Sequence, residues 1–92
     1  MTSYLVTYEL RKEADTTDHR KLSDELEILL GHRVLNSTWL VNVDNTAKEI
    51  FDHLKSLIDS SDRLWVSELT KNYHSSNAIK GTSSWLKSNL LS

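Results

Sequence analysis

The sequence predicts a small α+β domain: a four-stranded antiparallel sheet with two helices on one face, plus a short helical tail. Three observations carry that prediction. β-branched and aromatic residues concentrate in short stretches of period two. Leucine-rich stretches between them repeat at helical spacing. The resulting order is strand, helix, strand, strand, helix, strand, tail.

The first strand is SYLVTYEL, Ser3 to Leu10, where Tyr4, Val6, Tyr8 and Leu10 alternate with Leu5, Thr7 and Glu9. A charged loop, RKEADTTD, follows. A helix should start near Thr17 or Asp18, whose side chains can accept free first-turn amide hydrogens. Leu22, Leu26, Leu29 and Leu30 then share one helical face. Gly31 is expected to supply the left-handed stop. In HRVLNSTWLVNV, a turn at Asn36 and Ser37 divides a short strand, Arg33 to Leu35, from a longer one, Thr38 to Val43; one long bent strand is the alternative. Thr46 and Glu49 fit a capping box, and Ala47, Ile50, Phe51, Leu54, Leu57 and Ile58 make one apolar stripe behind it. DSSD ends that helix, and RLWVSELT, Arg63 to Thr70, is the last core strand. KNYHSSNAIKG reads as a loop. TSSWLKSNLL reads as a helix capped by Thr82 or Ser83 and anchored through Trp85, Leu86 and Leu90. The expected division is therefore a core over residues 1–70 and a C-terminal loop and helix over 71–92, packing on the core or on a partner subunit. The core order is that of the ferredoxin-like βαββαβ sandwich, whose first and third strands lie in the centre. The two most apolar strands here are the first and the third.

A chain of 92 residues fits one domain. At this size roughly 60% or slightly more of the unfolded surface is buried, so folding has little margin and a dimer would add to it. Cysteine is absent, which excludes disulfides, thiolate metal sites and thiol nucleophiles. No stretch approaches the ~18 apolar residues of a membrane span, and the N-terminus lacks a basic-then-apolar pattern. The expectation is a cytoplasmic protein with no membrane partner and no resident cofactor. Formal net charge is −2, and Arg11, Lys12, Arg20, Lys21 and Arg33 are scattered. A nucleic-acid partner thus gains no support from charge, although a small contact surface stays open.

Two helices cover one face of a four-stranded sheet. Here every strand carries apolar residues on both sides: Tyr4, Val6 and Tyr8 against Leu5 and Thr7; Trp39, Val41 and Val43 against Thr38 and Leu40; Trp65, Ser67 and Leu69 against Leu64 and Val66. A sheet of that kind is buried on both faces. The second cover is the C-terminal segment, a second subunit, or both. A homodimer is the leading inference, with Leu5, Thr7, Trp39, Trp65 and Trp85 as interface candidates.

Few residues point to chemistry. Glu9 ends an apolar strand, close to where Ser37, Asp62 and Arg63 should gather. As a catalytic acid it would bind a divalent cation with Asp62; as a plain strand-end residue it would pair with Arg11 or Arg63. His19, His32, His53 and His74 include no pair at the one-turn spacing of a helical metal site. No serine lies in a nucleophile elbow. Trp39, Trp65 and Trp85 could stack bases on an open sheet, but tryptophans in small domains more often anchor a core or an interface.

SYLVTYEL, the helix ending in Gly31, VLNSTWLV and TAKEIFDHLKSLIDSSDRLWVSELT resemble the SinR-like small proteins over about Ser3 to Thr70. That family is related to the ferredoxin-like CRISPR adaptation proteins described as endoribonucleases and to the virulence-associated protein D toxins. The resemblance implies a ferredoxin-like homodimer. In the nuclease relatives the first strand ends in an aromatic followed by aspartate, and two such aspartates across a dimer are thought to hold a divalent metal. The matching position is Glu9, after Tyr8, one methylene longer than the relatives' ligand. The expected function is therefore association without catalysis. The competing readings are a metal-dependent, toxin-like endoribonuclease using Glu9 and Mg²⁺, and a non-catalytic nucleic-acid-binding module.

Overall fold

The computed structural model describes residues 1–89, so the anchoring role assigned to Leu90 lies outside the described residues. Its elements are β1 (Thr2–Glu9), α1 (Thr16–Ile28), β2 (His32–Leu35), β3 (Thr38–Val43), α2 (Ala47–Lys55), β4 (Arg63–Glu68) and α3 (Thr82–Asn89). The sheet runs β2-β3-β1-β4, antiparallel throughout, so β1 and β3 are central as expected. This is an α+β arrangement consistent with a ferredoxin-like fold followed by a short C-terminal helix.

The register decides which side chains meet the helices. Tyr4 lies opposite Val41, Val6 opposite Trp39 and Val66, and Tyr8 opposite Leu64. These residues share one face and pack with Leu22 and Leu26 of α1 and Ile50 and Leu54 of α2. Val6, Val41, Leu22, Leu26 and Leu54 are fully buried there.

α2 begins as the sequence predicts: Thr46 Oγ1 accepts the Glu49 amide at 3.2 Å, and Glu49 Oε1 accepts the Thr46 amide at 2.8 Å. α1 begins earlier than Thr17. Asp15 is its cap, with Asp15 Oδ1 accepting the Asp18 amide at 3.0 Å and Asp18 Oδ2 accepting the Asp15 amide at 3.1 Å. An aspartate takes the place of the usual glutamate in this box, which is why the pattern reads weakly in sequence.

The end of α1 also differs from expectation. Leu30, not Gly31, takes the left-handed conformation, at φ 59°. The Leu30 amide donates to Glu27 O and the Gly31 amide to Leu26 O, both at 2.9 Å, a Schellman closure. Gly31 is required for space: a Cβ there would lie 2.9 Å from Leu26 O and 3.0 Å from Leu40 O. Leu30 therefore carries strain with its side chain 83% exposed. Leu30→Gly is expected to stabilise the fold by about 0.5–1 kcal/mol, the left-handed penalty less the added freedom of the unfolded chain. Urea unfolding measures it; a loss of stability would refute the strain.

The C-terminal segment crosses the second sheet face. The Leu69 amide donates to Ser3 O at 2.8 Å and the Ile79 amide to Val34 O at 2.9 Å. Val34, Leu40 and Leu86 form a small second core, with Leu5, Leu69, Tyr73 and Trp85 packed against it. Gly81, at φ 97°, turns the chain into α3 over the His32 ring. α3 is not capped by the Thr82 or Ser83 side chain. The Trp85 amide bonds to Gly81 O, while the Thr82 hydroxyl donates to Ile79 O at 2.6 Å. That leaves the Thr82 oxygen to accept from His32 Nε2 at 2.8 Å. At the far end Asn42 Nδ2 donates to Asn89 O at 3.2 Å.

Candidate functional site

The end of β1 carries Glu9, the carboxylate that closes the apolar strand. Antiparallel pairing sets Glu9 opposite Arg63, the first residue of β4. Their side chains form an ion pair, Arg63 Nη1 to Glu9 Oε1, at 2.7 Å, with 82% and 70% of their surfaces exposed. Asp62 is adjacent in sequence yet engaged elsewhere. Its side chain is 1% exposed and accepts the Arg11 guanidinium at 2.9 Å, the Arg11 amide at 2.7 Å and the Asp59 amide at 2.9 Å. Burial alone would raise the Asp62 carboxyl; the Arg11 and Asp59 amides and the Arg11 guanidinium outweigh it and hold the group below its ordinary value. Arg11 also reaches Asp18 at 3.0 Å, tying the loop after β1 to α1 and to the loop before β4.

Of the group expected around Glu9, Arg63 arrives as its ion-pair partner. Asp62 is committed to Arg11, and Ser37 contributes its carbonyl to the Tyr8 amide. A Glu9–Asp62 cation site would therefore have to displace both arginines. Among the described residues no three His, Cys, Asp or Glu side chains gather as a metal site. Glu9→Ala is expected to change stability by less than about 1 kcal/mol, as for an exposed ion pair. A chemical denaturation curve checks this; a larger loss would mean Glu9 has a structural role beyond Arg63.

The interface candidates separate by face. Trp39 does not reach the second face: β3 register places it opposite Val6, beneath the helices, 4% exposed, with its buried indole N–H unpartnered among the described residues. It is a core residue, available to neither a base nor a partner. Leu5 is half-buried against the second core. Trp85 is half-buried, and its indole N–H donates to Leu30 O at 3.3 Å, so it fastens α3 to the end of α1. Thr7 and Trp65 remain. They face each other across β1 and β4. Trp65 is 64% exposed, and the Thr7 hydroxyl bonds that of Thr38 at 3.0 Å.

The histidines do not act together. His53 Nε2 meets Glu25 Oε1 at 2.7 Å, joining α2 to α1. His32 holds Thr82, and His74 lies on the loop crossing the second face. The sequence reading missed the Arg11 node, whose signal is the pair of aspartates in DSSD, a turn motif that turns a carboxylate back onto nearby amides. It also missed Leu35, 51% exposed at the end of β2.

No helix among the described residues is long and apolar enough to cross a membrane. No family model matches the chain.

Proposed function

We propose that the protein acts by association, as a non-enzymatic homodimer of the SinR-like kind, joined over the part of the second sheet face that its own C-terminal segment leaves uncovered. One observation carries this reading. Trp65 stands 64% exposed on a sheet face next to Thr7, while Leu40 on the same face is buried by Leu86 and its neighbours. A large aromatic projecting from the rigid floor of a sheet loses little freedom when a partner covers it, which makes it an efficient anchor. The ion-pairing of Glu9 and the burial of Asp62 support association over metal-dependent cleavage, because both carboxylates are already satisfied within the chain.

Light scattering at tens of micromolar tests the reading. The chain is expected to run at twice its monomer mass. Trp65→Asp is expected to weaken the dimer by about 2 kcal/mol or more, roughly thirtyfold, with the fold unchanged. A monomeric wild-type chain overturns the proposal. Cleavage of RNA that is lost on Glu9→Ala with the fold intact would replace it with the nuclease reading.

A further inference from the structure

We propose that the arch formed by Leu69 to Ile79 over the second sheet face is a binding site for a small, uncharged, mainly apolar molecule. The arch is pinned at both ends, by the Leu69 amide on Ser3 O and the Ile79 amide on Val34 O. Between those pins it has no regular structure, and Tyr73 is the residue of its middle that packs against the second core. A cavity of about 350 Å³ remains beneath it. That volume is at the low end of the range of small-molecule pockets, roughly 300–1,000 Å³.

The lining specifies the ligand class. The floor is Leu5, Val34 and Leu40 of the sheet, and Leu69 and Leu86 close the sides. No Lys, Arg, Asp or Glu lines the cavity, so an ion entering it would shed water with no countercharge to receive it. Two rim hydroxyls are already in use: Thr82 between Ile79 O and His32, and Thr38 with Thr7. On the arch Tyr73, His74, Ser75 and Ser76 also line the cavity, and their side chains make no hydrogen bond with the described residues. They supply donors and acceptors for one polar group, such as a hydroxyl or carbonyl, at the mouth of an apolar slot. The site does not depend on self-association, since its walls come from one chain.

Titration of the full chain with 1-octanol, octylammonium and octanoate, in slightly alkaline buffer, tests the proposal. Methyl NMR signals of Leu5, Leu40, Leu69 and Leu86 report it. Octanol is expected to shift these methyls saturably, and either ion to bind at least about tenfold more weakly. Ala78→Trp, which fills the cavity from the arch, is expected to abolish the shifts while leaving the β1 and β3 amide signals in place. Ser76→Trp does the same from the rim if Ala78→Trp does not fold. The proposal fails if octanol causes no saturable shift, if either ion binds as tightly, or if the filled variants bind as the parent does. It also fails if dilution without any probe moves these same methyls, because a second copy of the chain would then be the occupant.

Discussion

Leu54→Ala is expected to cost about 3–4 kcal/mol, within the range for deleting a fully buried leucine. Leu54 is 0% exposed, on the inner face of α2, in the cluster that contains Val6, Leu22 and Leu26. These neighbours belong to β1 and α1, elements fixed by their own strand pairing and helix packing, so the site left by the side chain should collapse little. In a domain of this size total stability is about 5–15 kcal/mol, so the variant should keep little reserve and melt roughly 15–25 °C lower. Urea and thermal unfolding followed by circular dichroism measure both. Leu86→Ala is the useful contrast. Leu86 is 5% exposed but belongs to the three-residue second core. Its loss should loosen α3 and leave the helix-side core folded. A Leu54→Ala cost below about 1 kcal/mol would show that α2 does not seal that core.

Asp62→Asn is expected to give the second large effect, and one with a pH signature. The asparagine keeps the shape but removes the charge facing Arg11, and it turns a donor toward groups that are themselves donors. The sign follows from the lowered carboxyl. A group whose folded value lies below its unfolded one stabilises fully above the ordinary aspartate value of 3.8 and loses that contribution as pH falls through the folded value. Asp59, held by the Ser61 amide and hydroxyl, and Asp15, held first by the Asp18 amide, are lowered in the same sense. Wild type should therefore lose stability below about pH 4. The gap between wild type and Asp62→Asn should be widest near neutrality and narrow in acid. Urea midpoints across that range check it, and a gap independent of pH would show that the charge of Asp62 contributes nothing.

The fold was legible because the hydrophobic period is clear in each core element, even where the cap was misplaced. Alternation in SYLVTYEL and TWLVNV gave the central strands, and Thr46 with Glu49 marked the start of α2. Where the reading slipped, local signals were ambiguous. Gly31 sits where a left-handed residue belongs, but the tight approach to Leu26 and Leu40 claims it and pushes the left-handed turn onto Leu30. The hydrophobic pattern does not reveal how closely the end of α1 approaches the neighbouring strand β3. Trp39 could not be assigned to a face until the register was known, because period two gives alternation without direction. The candidate site was legible in one respect: Glu9 was read either as a metal ligand or as a partner of Arg63, and strand pairing brings Glu9 and Arg63 together. Asp62 was not legible, because it was read as a companion of Glu9, whereas the turn before β4 aims its carboxylate at the Arg11 and Asp59 amides.

The bond from the Ile79 amide to Val34 O has a consequence for the sheet's margins. β2 is four residues long, irregular between Arg33 and Leu35, and has an outward carbonyl already taken by the chain's own arch. The opposite margin, along β4, keeps an unbroken register and pairs on its β1 side only. Backbone groups on an unpaired margin are a template for another strand. With one margin obstructed, that templating runs in a single direction. The margin left open to a further strand is the one that carries Trp65, so strand addition along β4 and cover over Trp65 would draw on the same element.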